Sequence, residues 1–204
     1  MRAVIIGNGS VSSYEEMKKY IRKDDFIICA DGGIKHAVKM GIRPNLVIGD
    51  FDSSNPDAAA IDAEKIQYPT RKDYTDGEIC VKYAAEHGYD DVLLIGMIGT
   101  RIDHTINNLL ILSQCKNGMA VNEKNEIYYL KDSLELNGKN GKTLSIIPLK
   151  GDMKGITTKG LEYALDDGDL YFGESKGNSN EIISDECKIT VKSGEGLVIV
   201  NDGE

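Results

Sequence analysis

The chain has 204 residues, enough for one large domain or two small ones, and it can bury a core without a disulfide or metal staple. Lys and Arg number 24 against 33 Asp and Glu, a net charge of −9, which argues against nucleic acid as the main partner because phosphate binding needs a basic face. An apolar content of 41% excludes a disordered chain, and carboxylates can still bring a polyphosphate to an acidic protein through a bound metal ion.

The first elements alternate in type. Ala3–Ile6 reads as a buried strand that stops at Gly7 and Asn8, too short for a signal peptide or a membrane span. Ser13 and Glu16 form a capping box that opens a helix running to about Lys23. Phe26–Ala30 is the second strand, followed by Asp31, Gly32, Gly33 and a helix closed by Gly41. Leu46–Gly49 is a third strand, Pro56–Glu64 is helical, and Lys65–Tyr68 is a weaker fourth strand. Thr75 and Glu78 cap a helix to about His87, Val92–Ile95 is the fifth strand, and Thr105–Lys116 is a further helix. This order predicts an α/β unit over residues 1–122, with a Rossmann-like, mainly parallel sheet and flanking helices.

Past Asn122 the helical period disappears. Strand-like runs occur at Asn125–Leu130, Ser133–Leu136, Thr143–Leu149, Leu170–Phe172, Ile182–Ile183, Lys188–Val191 and Leu197–Val200, with turns such as Asn137-Gly138 and Asn140-Gly141 between them. Residues 123–204 are therefore expected to form an all-β sandwich. Cys29, Cys80, Cys115 and Cys187 are widely spaced within mostly apolar stretches, a pattern of small core residues in a reducing, cytoplasmic setting.

The aspartates fall at strand ends. Asp31 follows the second strand, Asp50 and Asp52 the third, Asp73 and Asp76 the fourth, and Arg101 with Asp103 the fifth. In a parallel sheet all these loops open at the carboxyl edge, where open α/β folds bind ligands. Singly, each Asp reads as a turn or cap residue. Together, like charges on one rim need a cation, and oxygen-only ligation suits Mg²⁺ shared with substrate phosphates, with Asp50, Asp52 and Asp76 as its seat. Gly32 and Gly33 stand where backbone N–H groups attract anions, and Lys72 and Arg101 are cations placed to clamp phosphate oxygens. A P-loop motif is absent, and Gly7-Asn8-Gly9 is only a fragment of a dinucleotide fingerprint. His104, beside Asp103 at a helix start, could relay a proton but better suits a capping or supporting role, because no nucleophile is paired with it, and His36 and His87 sit in helical patterns and read as structural. The residues alone leave open a nucleotide phosphohydrolase using the same carboxylates, or a sensor that binds without turnover.

Several segments resemble the thiamine pyrophosphokinase family: Ala30-Asp-Gly-Gly33, Pro44-Asn-Leu-Val-Ile-Gly-Asp-Phe-Asp-Ser53, Pro69-Thr-Arg-Lys-Asp-Tyr-Thr-Asp76, Gly99-Thr-Arg-Ile-Asp-His104, and Lys159-Gly-Leu-Glu-Tyr163 with Asn178-Ser-Asn-Glu181. The resemblance implies an ATP- and Mg²⁺-binding catalytic domain, a thiamine-binding β-sandwich, and a homodimer with thiamine bound where subunits meet. The implied reaction converts ATP and thiamine to AMP and thiamine diphosphate. It also implies that Asp50, Asp52 and Asp76 hold Mg²⁺ and that Asp73 positions or activates the thiamine hydroxyl. Asp31, Gly32, Gly33, Arg101 and Asp103 would line the nucleotide and phosphate site, Ser179 and Asn180 would contact the thiamine pyrimidine, and Tyr163 would supply an aromatic face. The chain departs from the family at Thr100, where a second glycine is usual, and at Tyr163, where some members carry Trp.

Overall fold

The computed structural model describes residues 1–50, 62–69, 71 and 73–202, which form two compact units, Met1–Glu123 and Lys124–Glu204. The helix expected from Pro56 lies mainly outside the described residues, and Glu64 at its far end belongs instead to a strand.

The first unit is built from β1 (Arg2–Ile6), α1 (Tyr14–Lys18), β2 (Phe26–Ala30), α2 (Ile34–Met40), β3 (Leu46–Gly49), β4 (Glu64–Gln67), α3 (Asp76–Glu86), β5 (Asp91–Ile95), α4 (Ile102–Ile111) and β6 (Asn117–Val121). Its sheet runs β6-β5-β1-β2-β3-β4, and every pairing is parallel. Continuous apolar runs suit strands covered on both faces, and β1, β2, β3 and β5 are buried almost throughout. β4, at the sheet edge, exposes Glu64, Lys65 and Gln67, which explains its faint sequence signal. Val4, Ile6, Ile34, Leu93 and Ile95 are fully or almost fully buried in one cluster with Met17 and Met40.

Local chemistry sets the helix ends. The Ser13 hydroxyl accepts from the Glu16 N–H at 3.4 Å and the Thr75 hydroxyl from the Glu78 N–H at 3.2 Å, each satisfying a first-turn donor. Gly41 ends α2 in the left-handed region at φ 66°. α1 is shorter than its capping box suggests: after Lys18 the N–H groups of Tyr20 and Ile21 bond to Met17 and Lys18 carbonyls in tight turns. β6 has no counterpart in the sequence reading, because Asn117-Gly118 looks like a turn. A Cβ on Gly118 would come within 3.0 Å of the Leu112 carbonyl oxygen, so glycine there lets the strand pass close under the 3-10 turn Leu112–Gln114.

The second unit contains β7 (Asn125–Leu130), β8 (Ser133–Asn137), β9 (Thr143–Pro148), β10 (Met153–Lys159), β11 (Gly168–Leu170), β12 (Asn180–Glu181), β13 (Glu186–Thr190) and β14 (Gly196–Asn201). They form two antiparallel arrays, β12-β9-β14-β7 and β11-β10-β13-β8. Leu144, Ile146, Val198 and Val200 from one array share a core with Leu136, Ile156, Ile189 and Leu170 from the other. β10 has no clear pattern in the sequence because Gly155, at φ 63°, and a register shift between Met153 and Ile156 interrupt its alternation. β11 and β12 each begin two residues before their expected positions, and Ile182 makes only an isolated bridge to Leu161. The four cysteines are buried, and burial alone pushes the Cys29 and Cys115 thiols up to about 12.

Candidate active site

The strand order reverses about β1: the chain winds outward through β2, β3 and β4, then returns to place β5 on the other flank. Crevices form at such switch points, beyond the carboxyl ends of the strands. There the first unit carries a cavity of about 910 Å³, a size that suits a nucleotide. Its walls come from the turns after β1, β2, β3 and β5 and from α1, α2, α3 and α4.

Asp31, Asp50, Asp76 and Arg101 all line this cavity. Asp31 starts the 3-10 turn after β2 with φ 41°, a left-handed conformation uncommon for a residue with a side chain. It packs against Gly49, where a Cβ would stand 3.1 Å from the Cα and Cβ of Asp31. A Cβ on Gly33 would be driven into the Ile6 carbonyl oxygen, so glycine is required for this turn to pass over β1. Gly32 lies against the Asn8 side-chain amide, 2.6 Å from where its own Cβ would be. The Asp50 carbonyl accepts from the Gln67 amide at 3.0 Å, which ties the end of β3 to β4. Asp76 is the first residue of α3, and its Oδ1 is buried.

Arg101 precedes α4 and forks onto Asp103, Nε to Oδ1 at 3.2 Å and Nη2 to Oδ2 at 2.6 Å. That bond is the main cause of the Asp103 carboxyl falling to about 2. Asp73 and Asp103 are exposed and are not part of the cavity wall. Asp52 and Lys72 lie outside the described residues. Among the described residues no three His, Cys, Asp or Glu side chains are grouped closely enough to hold a metal. Asp50 and Asp76 do offer oxygen donors to one cavity, the ligand chemistry that a hard divalent cation such as Mg²⁺ prefers.

Several wall residues were missed in the sequence. Gly7, Asn8, Gly9 and Ser10 form the turn after β1, where the Gly7 and Gly9 N–H groups donate to the Ile95 and Gly96 carbonyls at 2.8 and 2.6 Å. The Gly7-Asn8-Gly9 fragment was a faint sign of this close backbone approach. Lys35 and Lys39, on α2, add positive charge to the acidic wall, and their four-residue spacing on one helix face was the available signal. His36 is buried between them, with Nδ1 3.0 Å from the Tyr14 hydroxyl and Nε2 2.8 Å from the Gly9 carbonyl. Asn108 is buried and donates from Nδ2 to the Met97 carbonyl at 2.7 Å, fixing the turn after β5. Thr105 closes that turn further: its hydroxyl lies 3.1 Å from both the N–H and the carbonyl of Gly99.

Tyr163, Ser179 and Asn180 belong to the second unit. The Asn180 side chain accepts from the Tyr163 N–H at 3.0 Å and donates to the Tyr163 carbonyl at 2.8 Å, so two residues distant in sequence are clipped together. The Ser179 N–H donates to the Ser145 hydroxyl at 3.0 Å with φ at 57°, and the Tyr163 side chain stands 72% exposed.

The curated relatives are similar over most of their length. The chain is 24% identical over 210 residues to the thiamine pyrophosphokinase of Bacillus subtilis, covering 96% of this chain and 95% of that one. It is 25% identical over 204 residues to thiamine pyrophosphokinase 1 of Oryza sativa subsp. japonica, covering 81% and 75%. The crystal structure of the Bacillus subtilis protein shares the fold, with a TM-score of 0.88 at 23% identity over 98% of this chain and 99% of that one. That of Geobacillus thermodenitrificans gives 0.85 at 24% identity over 98% and 97%. The family model of the thiamin pyrophosphokinase catalytic domain matches residues 17–129, over half of the chain, and that of the vitamin B1 binding domain matches residues 131–198. The motifs, the mixed α/β and antiparallel architecture and both domain matches thus lead to one assignment: the chain belongs to the thiamin pyrophosphokinase family.

Proposed function

We propose that this chain catalyses the family reaction, transfer of the β,γ-diphosphate of ATP to the hydroxyl of thiamine, releasing AMP. The observation that carries this reading is the single cavity in which Asp31, Asp50 and Asp76 stand with Arg101, Lys35 and Lys39 at the carboxyl edge of the parallel sheet. Such a wall offers cations to a polyphosphate and carboxylates to a metal. The first unit then serves as a Rossmann-like nucleotide domain and the second as a sandwich that takes thiamine.

The thiamine hydroxyl oxygen attacks the β-phosphorus, the bond from that phosphorus to the bridging oxygen of the α-phosphate breaks, and AMP leaves. This chemistry needs positioning and charge neutralisation more than covalent help. Asp50, Asp52 and Asp76 would hold Mg²⁺. When bound, the ion draws charge from the phosphate oxygens. Asp73 accepts the hydroxyl proton as the new bond forms. Asp31 with Gly32 and Gly33, together with Lys72, Arg101 and Asp103, binds and orients the nucleotide. Ser179 and Asn180 contact the pyrimidine of thiamine and Tyr163 covers its face, in a homodimer that binds thiamine where subunits meet. The acidic surface also favours the approach of thiamine, itself a cation. Burial of all four cysteines suits a cytoplasmic protein; among the described residues no helix is long and apolar enough to cross a membrane.

The test is AMP release. With ATP and Mg²⁺ alone little AMP should form; added thiamine should produce AMP and thiamine diphosphate in equal amounts. AMP formation independent of thiamine would instead support a phosphohydrolase. Binding of ATP or thiamine without any product would support a sensor.

A further inference from the structure

His36 is 4% exposed, yet both of its ring nitrogens are engaged at the cavity wall. The Gly9 carbonyl, 2.8 Å from Nε2, can only accept, so Nε2 carries the proton. In the neutral ring Nδ1 then accepts from the Tyr14 hydroxyl at 3.0 Å. Burial keeps the ring below the usual histidine range against the opposing effect of the Gly9 bond, and the nearby Lys35 and Lys39 ammonium groups act in the same direction as burial.

The consequence lies one peptide along. The Gly9–Ser10 peptide is trans and planar, so its C=O and N–H point in opposite directions. His36 takes the carbonyl end. The other end, the Ser10 nitrogen, lies beside the loop after β5, 3.4 Å from where a Cβ on Gly99 would stand, and both residues line the cavity. This N–H makes no hydrogen bond among the described residues. The Gly9 N–H just before it is already spent on the Gly96 carbonyl. A turn of sequence Gly-Asn-Gly-Ser has little stiffness of its own, so an anchor from a neighbouring helix is what orders it.

We propose that His36 is a positioning residue: by holding the Gly9 carbonyl from α2, it aims the Ser10 N–H at the phosphate chain of the nucleotide, opposite the Gly99-Thr100-Arg101 loop. A preset backbone donor needs no reorganisation when the anion arrives. This inference rests on the diphosphotransferase reading given above, and its test separates the two.

Steady-state constants for ATP and thiamine are measured in three variants. His36→Leu should raise the ATP KM about tenfold, the effect of losing one well-aimed bond to a charged group, with the thiamine KM within about twofold of the parent. His36→Gln places an amide nitrogen near the position of Nε2 and should restore the ATP KM. His36→Asn, one methylene shorter, falls short of Gly9 and should not. If the Leu variant fails to fold, the Gln and Asn pair carries the test. Equal ATP KM values in the Gln and Asn variants, or an unchanged ATP KM in the Leu variant, would overturn the positioning role. If the parent protein makes no thiamine diphosphate, the reaction reading fails instead, and the ATP dissociation constant of the same variants, measured by calorimetry, decides the role of His36.

Discussion

Arg101, just before α4, grips Asp103 in the first turn of that helix, with Nη2 2.6 Å from Oδ2. The guanidinium expected to meet phosphate thus rests on a carboxylate that the pairing holds at about 2. A carboxyl with a depressed pKa stays ionised at every pH above that value, so the pair is intact across the neutral range. The pH–rate profile should therefore show no limb from Asp103 between about pH 4 and 9. Arg101→Ala should lower kcat/KM for ATP at least tenfold, and Arg101→Lys should recover less than half of the loss, because an ammonium cannot present the planar fork.

Three glycine substitutions should separate fold from function. Gly33→Ala forces a methyl group into the Ile6 carbonyl and should destabilise by about 3 kcal/mol, read by urea unfolding. Gly41→Ala meets nothing within 4 Å and carries only the strain of φ 66°, a loss of about 1 kcal/mol with turnover unchanged. Gly49→Ala presses on Asp31 at 3.1 Å and should reduce turnover at least tenfold while costing about 1–2 kcal/mol.

Asp76 joins the helix start to the cavity. Asp76→Asn keeps its shape and removes its charge, so kcat should fall at least 100-fold. Stability should change by only about 0.5 kcal/mol, the value of a carboxylate in the first turn of a helix. Turnover followed across a Mg²⁺ titration checks this; near-normal rates at saturating Mg²⁺ would exclude Asp76 from the metal seat.

Far from the site, Arg2 donates from Nε to Oδ1 of Asp25 at 2.8 Å and from Nη2 to Oδ2 at 2.5 Å. Burial alone would raise the Asp25 pKa, but the Arg2 fork and the Arg22 N–H outweigh it and the net shift is downward. The stability this contributes is complete above the unfolded pKa of about 3.9 and is lost as pH falls through the lower folded value. Arg2→Ala strands a buried carboxylate and should cost about 3 kcal/mol at pH 7. Thermal unfolding from pH 7 down to pH 3 in both proteins would display the loss.

The sequence by itself determined whatever depends on neighbours along the chain. Phe26–Ala30 and Leu46–Gly49 read directly as strands because buried parallel strands need unbroken apolar runs. Thr75 and Gly41 marked helix ends because their side-chain oxygen and positive φ act within one turn. The placing of Asp31, Asp50, Asp76 and Arg101 at strand ends already implied a shared rim. The tertiary structure alone decided what depends on contacts between distant segments. Gly118 became a strand residue because the Leu112 carbonyl crosses it, and β10 survived Gly155 because β11 and β13 pair on either side. Lys35 and Lys39 became cavity walls, and His36 a clamp on Gly9, only once α2 lay beside the turn after β1. A hydrogen bond spanning 27 residues leaves no periodic trace in the chain, because its two ends answer to different local rules and meet only through the packing between them.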